Sequence, residues 1–409
     1  MDYTTLPTQA HLFTQQESVP MHSLYETFQS LTDPRRKQGQ RYSLALILCL
    51  LVLAKLAGQK TLSGATQWIR LRRVALAERF GLKHSRMPCQ TTYCNVLSLI
   101  DSQQLDEILS AFFARWEAQS RCGNEPSRLQ TPSGKADHRH LAIDGKALRA
   151  TNTTAHPVHQ LSCYEVSTGR VLWHCNVQEK HNEISELKPL LTIETVKGRI
   201  LSLDALHTQR EFCAQVKRLD GDYVLLAKDN QPTLREEIAD FFEDRTPDRR
   251  RWQEAETWEK GHGRLEHRQI VSSPDLNEWF AKEWQGIEQV FRVERTFRTF
   301  KSGAIHHEVV YGLSSLSLRQ TSAPRMLALV REHWAIENRL HWRRDVTLGE
   351  DACQTRTGSP ASLLAQMNSA VLSLMDRIGV RNVPQQMRYF DAEIDQALNL
   401  VLTGLCSLY

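Results

Sequence analysis

Apolar residues follow two different periods along this chain, and the change between them marks its organisation. From Met21 to about Gln119 they recur at helical spacing, whereas beyond His140 they gather into short runs that alternate with helical stretches. Ser43 stands where it can cap a helix from Leu44 to Leu56, which Gly58 ends, and Thr61 or Ser63 can start another through Trp68 to Arg73. After Pro88, Gln90 to Leu97 predicts a short polar-faced helix and Leu105 to Trp116 an amphipathic one. Such an all-α block fits a helix-turn-helix-like element, which sets a helix in a DNA groove, and fits equally a helix pair that never meets DNA.

Proline, glycine and serine crowd residues 121–138, the clearest linker in the chain. Past it the pattern predicts a strand over Leu141–Asp144, a hairpin of Gln160–Val166 and Val171–Gln178, and a helix over Glu183–Thr195. A strand over Arg199–Asp204, a helix over Thr208–Leu219, a strand over Tyr223–Lys228 and a helix over Thr233–Phe242 follow. Three strands and then alternating helix and strand is the chain order of an RNase H-like domain. The expected fold class is therefore α/β, a mixed five-stranded sheet flanked by helices. From about Arg251 to Leu316 the pattern turns to alternating, arginine-rich strands, as in Val290–Phe297, which reads as a β-rich insertion. Helices follow over Ala323–Trp342 and Pro360–Ile378. The expected division is a loose arm at 1–20, a helical N-terminal domain at 21–120 and the linker at 121–138. A first part of the core at 139–250, the insertion at 251–318, C-terminal core helices at 319–385 and a tail or helix at 386–409 complete it.

Composition narrows the class. With 409 residues, 41% of them hydrophobic, the chain can bury real cores. The apolar run from Leu44 to Ala54 is too short for a membrane helix, and the polar N-terminus lacks a signal-peptide pattern, so a cytoplasmic protein with no membrane partner is expected. Nine cysteines without a Cys-x-x-Cys pair argue for reduced thiols and against structural zinc. A net charge of +4 is modest, but the basic residues cluster: Arg35, Arg36 and Lys37 with Arg41, Arg70 with Arg72 and Arg73, Arg249 to Arg251, and Arg339 with Arg343 and Arg344. Each cluster alone reads as solvated surface; several together suit a polyanion.

Two aspartates close apolar strand patterns, Asp144 after His140-Leu-Ala-Ile and Asp204 after Gly198-Arg-Ile-Leu-Ser-Leu. A charge there is costly unless it is used. A third carboxylate lies in the helical stretch Arg331–Trp342, which holds two glutamates. At about 100° per residue, Glu337 shares a face with Met326, Val330 and Arg344 and lies near His333 and His341, while Glu332 falls roughly 140° away and is expected to face solvent. Glu337 then sits on an inward face, where it is either ion-paired with Arg344 or His341 or joins both aspartates at a metal. Trp334 and Trp342 read as packing residues.

The segments Asp144–Arg149, Glu179–Ile184, Asp204–Gln209, Gly221–Lys228 with Asn230 and Gln231, Gly261–Glu266 and His333–Trp342 resemble, in order, the motifs of ISAs-type, or H-repeat-associated, insertion-sequence transposases. Asp33–Gly39 and the apolar helix after it look like that family's N-terminal associated domain. The resemblance implies a DDE transposase in which Asp144, Asp204 and Glu337 are the catalytic acids and hold two Mg2+ ions, with Mn2+ as a substitute. It implies double-stranded DNA partners, namely terminal inverted repeats and target DNA, and a homodimer when two ends are synapsed. A nuclease without strand transfer and a domesticated or inactive DNA-binding relative are the alternatives. By their chemistry Lys228, His333 and Arg344 are expected DNA contacts near the scissile bond, with His262 and Arg264 in the insertion and Arg35, Arg36 and Lys37 in the N-terminal domain. A core histidine is an equal reading of His333. The basic residue at 344 resembles the lysine or arginine that follows the glutamate by seven positions in related DDE transposases.

Overall fold

A computed structural model describes residues 23–122, 139–151, 158–177, 183–244, 249–261, 263–353 and 359–404. The expected arm at 1–20 and all but residues 121 and 122 of the expected linker lie outside these, as do His262 and residues 179–182. The N-terminal part is helical: α1 (Leu24–Gln29), α2 (Leu44–Leu56), α3 (Leu62–Leu71), α4 (Arg73–Arg79), α5 (Gln90–Leu99) and α6 (Ser102–Cys122). The caps are those the sequence offers, since the Ser43 side chain accepts from the Leu46 N–H and that of Thr61 from the Gly64 N–H.

Every residue of α2 is buried. An all-round apolar helix has no solvent face, so it must sit at the centre of a core. Each of its fully buried Leu and Ile side chains contributes about 1.5–3 kcal/mol before the cost of ordering the chain. Its apolar character is thus taken up by packing; the span Lys37–Leu56 that is apolar enough to cross a membrane is mostly buried inside the molecule.

The sheet begins with β1 (Arg139–Ala147), β2 (His159–Glu165) and β3 (Arg170–Val177), then α7 (Glu183–Leu190), α8 (Ile193–Val196), β4 (Arg199–Leu203), α9 (Arg210–Arg218), β5 (Asp222–Ala227) and α10 (Pro232–Glu243). β2 pairs antiparallel with β1 and β3, whereas β4 pairs parallel with β1 and β5 with β4. This is the RNase H-like core expected. The insertion supplies β6 (Gln253–Gly261), β7 (Arg264–Ser273), the short α11 (Asn277–Phe280), β8 (Gln289–Thr299) and β9 (Ile305–Ser314). Its last strand docks antiparallel on β5, so the core sheet grows to nine strands in the order β3-β2-β1-β4-β5-β9-β8-β7-β6. The insertion is therefore a continuation of the core sheet.

α12 (Ala323–Glu332) crosses β6 and β7, and after it come two π-helical segments, Ile336–His341 and Arg343–Thr347. α13 (Ser359–Arg377), α14 (Val383–Ala392) and α15 (Ile394–Thr403) pack against α2, so the N-terminal helices and the C-terminal ones share a single buried cluster. Ala142, Tyr164, Val171, Ile336 and Leu340 join that cluster from the sheet and the π-helix. Leu141, Ile143, Leu201 and Leu203 point the other way, into the core closed by α7, α9 and α10.

Candidate metal centre

Strand alternation sets the two aspartates. The parallel ladder of β1 with β4 runs from Arg139 opposite Arg199 to Ile143 opposite Leu203. Asp144 and Asp204 are each the next residue, on the face opposite Ile143 and Leu203. His140 and Ser202 confirm that face, since His140 Nε2 meets Ser202 Oγ at 2.7 Å. Asp144 does not end its strand as expected; β1 continues to Ala147 against β2, with Asp144 opposite Ser162. What stops at Ile143 is the pairing with β4, which opens a notch in the sheet beside Asp144. Asp204 caps the 3-10 turn Ala205–His207, its Oδ1 accepting from the Ala205 N–H at 2.7 Å, and is exposed.

Glu337 reaches the notch by a different route from the regular helix expected. α12 ends at Glu332, His333 and Trp334 form a turn, and the helix then widens: the Trp342 N–H donates to the Glu337 carbonyl and the Leu348 N–H to that of Arg343, both five residues back. A constant 100° step fails across such a segment. Glu337 is half-exposed at the rim of the notch, not central on a buried face. Glu332 does not face solvent either, for its carboxylate takes His140 Nδ1 at 3.0 Å and Arg325 Nη1 at 2.6 Å. Trp334 and Trp342 are exposed, contrary to the packing role expected of them.

His341, one turn beyond Glu337, completes the arrangement. Its Nδ1 lies 3.1 Å from Glu337 Oε2 and 3.5 Å from Asp144 Oδ2, and ligand atoms of the three residues fall within 4.8 Å of one another. Burial pushes the Asp144 carboxyl up to about 7 against a lowering hydrogen bond from Gly145, and the charges of Asp204, Glu337 and Glu183 push the same way. The hydrogen bond from His341 holds Glu337 below its ordinary value, while burial lowers His341 itself. The donor set suits a divalent cation. Carboxylates that raise one another's proton affinity are stabilised by added positive charge, and their oxygens converge at coordination spacing. Asp204 stands outside the group of three, although its charge is felt at Asp144.

A second polar cluster backs the notch. The Glu183 carboxylate sits 2.5 Å from His159 Nε2 and 3.3 Å from His207 Nε2. Burial alone would raise its pKa, but the two histidines outweigh burial and hold it to about 2. Gly145, next to Asp144, fits only because it lacks a side chain, since a Cβ there would lie 2.5 Å from His159 Nε2 and 2.7 Å from Glu183 Oε1.

The expected DNA contacts separate into buried and open groups. Arg344 is fully buried, with Nε and Nη2 on Glu350 and Nη2 also 3.0 Å from Gln160 Oε1, so it has no reach to a phosphate. A helix continuing at 100° per residue would have hidden this, because the partners come from β2 and from the turn at Glu350. Arg35 is likewise committed, pairing with Asp33 at 2.7 Å and donating to the Tyr42 carbonyl at 2.8 Å. Arg36 and Lys37 are exposed, as is Lys228 just past β5. His333 Nδ1 lies 3.0 Å from Ser202 Oγ, and burial depresses its pKa to about 4, so it stands neutral and offers a phosphate no charge. Arg264 donates to Glu266 at 3.1 Å, and that buried carboxylate also holds Arg268 and Arg295. Sequence reasoning passed over Lys146, which shares the face of Asp144 and pairs with Asp345 at 2.6 Å. It also passed over Glu183 and over His341 as a metal partner. Their signals were present: Lys146 and Glu183 lie in quoted motifs, and His341 follows Glu337 by four residues.

The chain is similar to known proteins over most of its length. The family model described as a transposase DDE domain matches residues 135–374, and one described as DDE_Tnp_1-associated matches residues 25–113. The chain is 27% identical over 367 residues to YncI of Escherichia coli O157:H7, named as a transposase candidate, covering 87% of each chain. It is 25% identical over 383 residues to YhhI of Escherichia coli K12, named as an H repeat-associated transposase candidate, covering 90% of this chain and 94% of that one. Among solved structures, the cryo-EM structure of a piggyBac transposase synaptic complex with hairpin DNA matches at a TM-score of 0.40 and 12% identity, over 92% of this chain and 77% of that one.

Proposed function

The chain belongs to the transposase DDE-domain family, among its H repeat-associated members, and on that premise we propose that it cuts DNA at the ends of an insertion sequence and joins the freed 3′-hydroxyls to target DNA. The observation that supports this reading is the meeting of Asp144 and Glu337 at the notch where β1 and β4 part, with Asp204 at the adjoining strand end on the same face. Asp144, Asp204 and Glu337 act as the oxygen ligands. When bound there, two Mg2+ ions, or Mn2+ in their place, supply the positive charge that activates a water or 3′-hydroxyl and stabilises the departing oxygen.

The rest of the work falls to the chain's own groups. Lys228, exposed at the end of β5 and close enough to act electrostatically on His333, holds a phosphate beside the scissile bond. Arg36 and Lys37 anchor the N-terminal helices to the duplex backbone, and Arg264 does so from the insertion. His333 and Glu332 position their helix on the sheet through Ser202 and His140. Because two ends must be joined together, the working form on DNA is a homodimer.

The test is to incubate the purified protein with its own terminal repeats and Mg2+, beside Asp144→Asn and Glu337→Gln. The parent gives nicked ends and then joined products, and both variants give neither. Cleavage by both variants at the parental rate removes the site assignment; nicking without joined products reduces the enzyme to a nuclease.

A further inference from the structure

We propose that the Nδ1 atom of His341 is a protein ligand of the cation held by Asp144 and Glu337, making this a mixed nitrogen and oxygen site. The proposal rests on the metal reading above and goes beyond its three carboxylates. Ligands about 2.1 Å from one ion stand about 3 Å apart when adjacent. The 3.1 Å and 3.5 Å separations of His341 Nδ1 from Glu337 Oε2 and Asp144 Oδ2 match that spacing, and all three ligand atoms fall within 4.8 Å of one another. Asp204, the expected partner, is outside this group and uses one oxygen to cap its own turn.

The imidazole is placed for the role. His341 is 2% exposed, in a π-helical segment whose neighbours Ile336 and Leu340 are buried, so the ring is held by packing and points its Nδ1 edge at the two carboxylates. Its Nε2 is buried and has no hydrogen-bond partner among the described residues, so no donor there fixes the proton on Nδ1, where a cation would take the place of the proton shared with Glu337. Glu337 and His341, four residues apart, stand side by side on the segment and face Asp144.

The consequence is metal preference. Oxygen ligands alone suit Mg2+, whereas an imidazole favours Mn2+ and later transition ions. The full-length protein without DNA is titrated with Mn2+, free Mn2+ being read by EPR, and Mg2+ is added as competitor. Electron spin-echo modulation then asks whether a directly bound nitrogen couples to the protein-bound Mn2+. The parent shows nitrogen modulation, Asp144→Asn abolishes binding, and His341→Gln, whose amide still donates to Glu337, loses the modulation and about tenfold of the preference for Mn2+ over Mg2+. Mn2+ bound in an Asp144-dependent manner without nitrogen modulation overturns the proposal alone, even if the variant fails to fold. No binding by the parent overturns it together with the metal reading.

Discussion

Replacing Arg344 with Met separates a structural arginine from a phosphate-binding one. The guanidinium is fully buried, and its Nε and Nη2 donate to the Glu350 carboxylate at 2.8–3.1 Å. Glu350 also accepts from Asn368 Nδ2 at 2.9 Å, and Asn368 in turn accepts from the buried Lys55 of α2 at 2.7 Å. Burial alone would raise the Glu350 pKa, and the attraction of Arg344 is the chief force holding it down. Taking away the arginine leaves a buried carboxylate without its main partner, which costs about 3–5 kcal/mol. Removing both charges in Arg344→Met with Glu350→Leu returns most of that loss, because an apolar pair avoids the desolvation penalty. Urea unfolding of the parent, both single variants and the double variant, followed by circular dichroism, measures the cycle. DNA binding by fluorescence anisotropy at several salt concentrations supplies the other arm. Should Arg344→Met stay within about 0.5 kcal/mol of the parent while its salt dependence falls by about one phosphate contact, the buried role is wrong and the contact role stands.

Three further outcomes follow from the geometry. Gly145→Ala forces a Cβ against His159 and Glu183, so it destabilises the protein by about 1–3 kcal/mol and weakens Mn2+ binding by displacing Asp144, measurable by thermal melting and metal titration. An unchanged melt and titration would mean that the wall behind Gly145 yields freely. Stability falls on acidification below about pH 6.5, because burial depresses His140 and His333 and the unfolded chain takes up protons that the folded one resists, in the case of His333 until about pH 4. His333 contributes up to about 3 kcal/mol of that loss, and Glu183, held to about 2, adds its share only below its ordinary range near pH 4.5. Urea midpoints between pH 7 and pH 4 check the sign, and a midpoint that rises on acidification refutes it. Lys228→Ala, at an exposed position, leaves stability within about 0.5 kcal/mol but lowers DNA affinity evenly across sequences, with one fewer phosphate contact in the salt slope.

Local chemistry made much of the fold legible. Ser43 and Thr61 cap the helices they were expected to cap, and Gly58 follows the end of α2 in a left-handed conformation. The two hairpin strands, β4 and β5 lie where alternation and turn residues put them, because those signals act between near neighbours. The joining of β9 to β5 was not legible, since an edge pairing between distant strands leaves no mark in either strand's own pattern. Arg35 and Arg36 are adjacent in sequence and opposite in fate, one committed to Asp33 and Tyr42 and the other exposed, for a reason the basic run itself does not contain.

Sequence by itself determined that Asp144 and Asp204 would each close an apolar run, where a charge is costly unless it is used, and only the parallel register of β1 with β4 put them on one face. Sequence also singled out Glu337, but by a route the molecule does not use. Only the tertiary structure decided that Glu337 stands at a rim instead of in a core, that Glu332 turns in to His140, that Arg344 is enclosed by Glu350 and Gln160, and that His341 meets the carboxylates. For Arg344 and His341 the reason is that Gln160, Glu350 and Asp144 come from other elements, and for the two glutamates it is pitch. A single helical period predicts direction only while the helix keeps its pitch, and here a turn and a π-helical widening reset it under contacts supplied by β1, β2 and α13.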